Sequence, residues 1–356
     1  MTKTFKIGII YFISVISLVV ARIVFAQINL SDNISSWTFS FIFQIVALGL
    51  IPFLLYRIWV GGSFREYAIE IHLNKKLNPA IYILAVLAGL CTYFINVIVS
   101  MFSRQILIGW GYTYASSVST IYSSPEVLIF DIIATALLPA VFEEIANRGL
   151  LLATLNGQRS ERLKVLIVAV MFGLVHQNIA QFPSAFISGI ILAWVALKAR
   201  SILPAMIIHF MNNFLIIMGL YSSQRSGIYY NAINNFFSII LSNIIFFVFS
   251  LTICIIILIY TVKSMRKFRK GSTLKLMSEE DMTKFLAEEA AITDTPEIAE
   301  FSEVFENVKQ EKEEVAEIDI PVEEPREATV NYIPLILAAL LATVSTLFTF
   351  IWGLMR

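Results

Sequence analysis

Runs of about 18 or more mostly apolar residues recur along this chain, and no other feature constrains its fold so tightly. A hydrocarbon layer about 30 Å thick offers backbone N–H and C=O groups no water, so only helices or closed barrels satisfy a chain that crosses it. The length of these runs selects helices. Composition agrees, with 58% of the 356 residues hydrophobic and 13% aromatic and a mean hydropathy of +0.77. The sequence therefore predicts an all-α, polytopic transmembrane helix bundle, about eight core spans plus a ninth C-terminal span.

Lys3 and Lys6 precede an apolar run from Ile7 to about Phe25, expected as a retained first span because Val24-Phe25-Ala26 matches a cleavage site only weakly. Trp37 to Trp59 is the second span and Pro79 to Phe102 the third. Between them, residues 60–78 form a polar loop expected at the membrane surface, and its His72 receives no role. The fourth span, about Val127 to Leu152, follows Ser123-Ser124-Pro125, a helix start. The fifth follows the turn 156–164 and runs to His176. The sixth covers Ser184 to Leu197, where Ser184, Ala185, Ser188 and Gly189 permit close helix contact. Pro204 to Tyr221 is the seventh, Ala232 to Thr261 holds the eighth, and Tyr332 to Leu354 is the ninth.

A formal charge of zero conceals two opposed parts. Residues 1–270 carry 20 Lys+Arg against 8 Asp+Glu, whereas residues 271–330 carry 5 against 18. This asymmetry divides the chain into 1–124 (spans 1–3), 125–220 (a polar-bearing core), 221–270 (span 8 and a basic stop), 271–330 (an acidic, mostly disordered tail) and 331–356 (span 9). The stop, Lys263 to Lys270, reads as a stop-transfer flank, with an anionic-lipid site as the alternative. Within the tail, Phe301, Val304, Phe305 and Val308 recur at i, i+3, i+4, i+7, the pattern of a short amphipathic helix for a protein partner. Cys91 and Cys254 lie deep in apolar runs, which excludes a disulfide framework. Nothing in the chain calls for a nucleic-acid partner; membrane lipids are the expected surroundings.

Loop charge sets the expected orientation. Lys3, Lys6, Arg57, Arg65, Lys75, Lys76, Arg159, Arg162, Lys164, Lys198, Arg200 and the 263–270 cluster fall on one side, against Arg22, Arg104, Arg225 and Arg356 on the other. The amino terminus and the acidic tail are thus expected in the cytoplasm and the carboxyl terminus outside.

Three polar clusters interrupt the apolar core: Glu143-Glu144-x-x-x-Arg148, Phe172-x-x-x-His176 and His209-x-x-x-Asn213. Ionisable groups in hydrocarbon are costly unless paired or facing a polar cavity. At about 1.5 Å of rise per residue from the cytoplasmic ends, Glu143 lies roughly 13 Å deep, His176 roughly 20 Å, His209 roughly 10 Å and Asn213 roughly 16 Å. They share one layer, in the half of the membrane nearer the cytoplasm, toward which a joint cavity is expected to open. Glu144 and Arg148, four apart, form an ion pair, leaving Glu143 as a carboxylate without a cation on its own face. Glu143 with an imidazole could deprotonate a water, and His209 with Asn213 could stabilise the oxyanion that forms when it attacks a carbonyl. The bland reading of each cluster is a structural charge network or an interhelical hydrogen bond; their combination at one depth points to a hydrolase.

The three elements, in order and approximate spacing, resemble the CaaX protease and bacteriocin-processing family of intramembrane peptidases, also called Abi-type proteins. The resemblance covers about residues 125–220. It implies that Glu143 and His176 activate the water, His209 and Asn213 stabilise the oxyanion, and Glu144, Arg148 and Phe172 support the site. It also implies a peptide or membrane-protein substrate and a bacterial cell membrane. An aromatic residue commonly precedes the motif Arg in this family; here it is Asn147. The resemblance leaves room for a metalloprotease, in which Glu143, His176 and His209 would be the zinc set. No His-Glu-x-x-His element strengthens that option, and metal-independent water activation is preferred. Other members of the family look like scaffolds or regulators of cell-envelope enzymes and sensor kinases, so a non-catalytic regulator acting through the tail is the alternative. A transporter is disfavoured by the lack of paired half-spans.

Overall fold

Uninterrupted Leu, Ile, Val and Phe leave the backbone no partner but itself, and the apolar runs form helices accordingly. The computed structural model describes residues 2–355 except 28–36, 38–39, 74–76, 114–119, 159, 225–227 and 275–330. Among the described residues there is no strand. The helices are α1 (Lys3–Gln27), α2 (Ser40–Trp59), α3 (Phe64–Glu70), α4 (Pro79–Gly109), α5 (Pro125–Thr154), α6 (Glu161–Val175), α7 (Phe182–Ala199), α8 (Leu203–Gln224), α9 (Ile228–Ser242), α10 (Ile244–Leu274) and α11 (Ile333–Leu354). Eight of them are long and apolar enough to cross a membrane: α1, α2, α4, α5, α7, α8, α10 and α11.

That count differs from the expected nine for a geometric reason. The fifth expected span, α6, has 15 residues, about 22 Å of helix, short of a 30 Å hydrocarbon layer. The expected eighth span is two helices. Asn243 ends α9, and its Oδ1 accepts hydrogen bonds from the Ile245 and Phe246 amides, capping α10. α9 then lays Phe237 and Ile240 against Phe94 and Ile98 of α4. The polar loop 60–78 contains α3, started by a reciprocal capping box between Ser63 and Glu66. His72 sits in a left-handed turn, and its carbonyl accepts the Ile202 amide at 3.2 Å. The 271–330 tail, with Phe301, Val304, Phe305 and Val308, lies outside the described residues apart from its first few positions.

The core is built around α5, α6, α7 and α8, with α1 and α4 closing its flanks. Small residues set the spacing between α6 and α7. A Cβ on Gly189 would lie 2.7 Å from the Ala169 Cα, so the helices touch backbone to backbone at the small-residue stripe. Gly189→Val is expected to force them apart and destabilise the chain by about 1–3 kcal/mol, measured as a lower melting temperature in detergent; an unchanged melt would disprove the close contact.

Candidate active site

α5 is not a uniform helix. Two π-helical stretches, Ile132–Leu137 and Ile145–Leu151, flank an α-helical segment, Leu138–Glu144. Each wide turn rotates the residues that follow it, and such turns cluster at functional sites. The second begins immediately after Glu144 and carries Asn147 and Arg148 into the interior, where both are buried.

Glu144 and Arg148 have no exposed side-chain surface. Glu144 Oε1 accepts from Arg148 Nη1 at 2.8 Å and from His209 Nδ1 at 2.9 Å. Arg148 Nη2 donates to the Gly189 carbonyl at 3.3 Å, and the guanidinium lies 4.2 Å above the Phe172 ring. Phe172 in turn meets His176 and His209 edge to face, with centroids 4.8 and 5.7 Å apart. One ion pair thereby ties α5 to α6, α7 and α8. The expected pairing of Glu144 with Arg148 is present; its grip on His209 could not be read from spacing, because 65 residues separate the two.

Glu143 points elsewhere. Its Oε1 accepts from Gln44 Nε2 at 3.3 Å, while its backbone carbonyl accepts from Asn147 Nδ2 at 2.8 Å. Asn147 Oδ1 accepts from the Tyr11 hydroxyl at 3.2 Å. Asn147 thus bridges α1 and α5 and gives the cavity a polar wall. Tyr11, Ser40, Gln44, Glu143, Asn147 and His176 line a cavity of about 170 Å³.

A second cavity of about 460 Å³ lies on the other side of His176, lined among others by Asn96, Arg104, His176, Ser188, His209 and Asn213. Asn96 Nδ2 donates to Ser188 Oγ at 2.7 Å and to Asn212 Oδ1 at 2.9 Å, and Asn212 Nδ2 donates to Asn213 Oδ1 at 3.0 Å. Asn213 Nδ2 reaches the Thr135 carbonyl at 3.3 Å, within the first π-helical stretch of α5.

Hydrogen-bond chemistry fixes the imidazole tautomers. His176 Nδ1 lies 2.6 Å from the Phe172 carbonyl oxygen, which can only accept, so Nδ1 carries the proton and Nε2 is the basic nitrogen of the neutral ring. His209 Nδ1 faces the Glu144 carboxylate and is the donor there as well.

The predicted residues are therefore gathered, but not into one chamber. Glu143 and His176 line the smaller cavity; His176, His209 and Asn213 line the larger; His176 is the wall between them. The lining of the smaller cavity includes Ser40 and that of the larger Arg104 and Gln181. Near the end where α8 begins, Leu150, Leu151 and Leu155 are fully buried, and the Ile202 amide ties the turn before α8 to His72.

Glu143, His176 and His209 do not come together as a metal-holding group among the described residues. This arrangement does not fit zinc held by those three side chains.

Sequence reasoning missed Tyr11, Gln44, Asn147 as a bridge, and the Asn96–Asn212 ladder. A signal existed for Tyr11, Gln44 and Asn96, each an isolated polar side chain inside an apolar run. It also left Asp131 without partners, although this buried carboxylate accepts from Tyr122 Oη at 2.6 Å, Thr135 Oγ1 at 3.1 Å and Trp37 Nε1 at 3.3 Å.

Fold and site together define a many-helix membrane bundle with a buried layer of acid, imidazole and amide side chains. Residues 125–215 match the family model described as Rce1-like, type II CAAX prenyl endopeptidase. The matched segment holds Glu143, Glu144, Arg148, Phe172, His176, His209 and Asn213, and it supports the CAAX protease family already indicated by the three motifs. The match spans about a quarter of the chain, and the eight long apolar helices make the chain a multi-pass membrane protein. No curated protein and no solved structure matches the chain.

Proposed function

We propose that the chain is an intramembrane endopeptidase that hydrolyses a peptide bond of a membrane-associated or peptide substrate with a water activated by Glu143 and His176. One observation carries this reading: the His176 ring is the shared wall between the cavity of Glu143 and the cavity of His209 and Asn213. A water held between the Glu143 carboxylate and His176 Nε2 gives its proton to Glu143 while its oxygen attacks the substrate carbonyl carbon. The carbonyl oxygen, now an oxyanion, accepts from Asn213 Nδ2–H and His209 Nε2–H. When the tetrahedral intermediate collapses, the C–N bond breaks and the proton on Glu143 passes to the leaving amine.

Glu144 engages His209 Nδ1 and so turns Nε2 toward the oxyanion, Arg148 anchors Glu144, and Phe172 packs edge to face against both imidazoles. The membrane is that of a bacterial cell, with the amino terminus cytoplasmic.

The test compares membrane and secreted peptides of cells carrying the wild-type chain or Glu143→Gln. Specific peptides are expected to disappear in the variant while their uncut precursors accumulate. Identical peptide sets would remove the catalytic reading and leave a regulator that acts through its tail. In the purified protein, cleavage is expected to survive a zinc chelator; loss that added zinc restores would overturn water activation by Glu143 without metal.

A further inference from the structure

The side chain that separates the two cavities stands at the end of its helix, where a backbone is least constrained. His176 caps α6, and Gln177 after it adopts a left-handed conformation with φ of +51°. Helices commonly end this way on Gly or Asn, which meet little steric resistance there; another residue needs its surroundings to hold it in that conformation. Gln177 is 4% exposed.

The holding comes from α11. Ser345 Oγ donates to Gln177 Oε1 at 2.7 Å, and Thr349 Oγ1 donates to the Gln177 backbone carbonyl at 3.0 Å. Thr346 Oγ1 reaches the Leu174 carbonyl at 3.3 Å, one of the last acceptors of α6. Each threonine hydroxyl has one proton, which it shares between that acceptor and its own helix: Thr346 Oγ1 lies 2.8 Å from the Ala342 carbonyl and Thr349 Oγ1 lies 2.8 Å from the Thr346 carbonyl. Three hydroxyls on one face of a helix thus meet the turn that carries His176. α11 is pinned at both ends: Gln158 Nε2 donates to Tyr332 Oη at 2.9 Å, and the Thr113 amide and hydroxyl donate to the Gly353 carbonyl at 2.8 and 2.9 Å. This helix lies outside the matched segment 125–215.

We propose that α11 is a positioning element for His176, with Ser345 and Thr349 as positioning residues that fix the Gln177 turn and so aim the imidazole at the wall between the cavities. The inference rests on the peptidase reading for its kinetic consequence, but its structural half stands apart from any activity. A hydroxyl bond of this kind is worth on the order of 1 kcal/mol, so loss of two is enough to let the turn populate other conformations.

The experiment uses the full chain in lipid nanodiscs. In Ser345→Ala/Thr349→Val, hydrogen exchange at residues 176–178 is expected to rise about tenfold while the middle of α6 stays protected. With a quenched prenylated CAAX peptide as probe, kcat is expected to fall about tenfold with KM changed by less than about twofold, because misplacement of a catalytic ring affects the transition state more than binding. Thr349→Ser, which keeps the donor, is expected to restore both readouts in the single-site series. Unchanged exchange at 176–178 overturns the proposal. So does equal loss of kcat and of thermal stability in Thr349→Ser, which would assign α11 to packing alone. If the wild type leaves the probe uncut, exchange decides this inference by itself; if wild type and Glu143→Gln cleave equally, Glu143 is excluded as the base while the positioning of the turn is still judged by exchange.

Discussion

Glu143→Gln is expected to lower peptide hydrolysis by about a hundredfold to ten-thousandfold, the range a positioned general base contributes, without lowering the melting temperature. The two halves of that expectation have separate grounds. An amide keeps the shape of the carboxylate and retains an oxygen for Gln44 Nε2, now 3.3 Å from Glu143 Oε1. The tighter bond at this position, Asn147 Nδ2 to the residue 143 carbonyl at 2.8 Å, belongs to the backbone and survives any substitution. What the variant loses is the ability to take a proton from water. Substantial activity in a well-folded Glu143→Gln protein would therefore exclude this carboxylate as the base.

Glu144→Ala is expected to act on the fold first, by about 3–5 kcal/mol, because it strands a buried cation rather than removing an interaction at the surface. Arg148 would keep the Gly189 carbonyl and the Phe172 ring but lose the carboxylate it is bonded to, with no exposed side-chain surface through which water could compensate. Arg148→Lys is expected to be harmful too, since an ammonium cannot both pair with Glu144 and lie flat on an aromatic face. The informative variant replaces both charges by Met. Well-packed apolar pairs often match or exceed a buried ion pair in stability, so the double variant is expected to recover most of the melting temperature. It should stay inactive, because His209 Nδ1 would have no acceptor in place of Glu144 Oε1. Recovery of both stability and cleavage would mean that the ion pair only fills space.

Much of this architecture was legible because hydrocarbon is so demanding a solvent. Long apolar runs became helices, and the three polar clusters in them, from Glu143 to Asn213, came to rest around two adjoining cavities. The less legible parts share a cause: periodicity records how often a side chain faces one way, not where the helix changes pitch or stops. The π-helical turns at Ile132–Leu137 and Ile145–Leu151 leave no mark in the periodicity, yet the second carries Asn147 and Arg148 into the interior. The break at Asn243 was hidden because a single Asn in an apolar run is an ordinary event. Depth along each helix put acid and imidazoles in one layer, but it could not say that a ring would stand between them.

The zero exposure of Glu144 and Arg148 also bears on how the chain is made. Gly189 and His209 belong to helices that follow α5 in the chain, so they reach this pair only once α7 and α8 have packed against it. The counter-ion four residues away on the same helix needs no such partner, and it lets α5 carry Glu144 and Arg148 as a matched pair before the rest of the bundle closes around them.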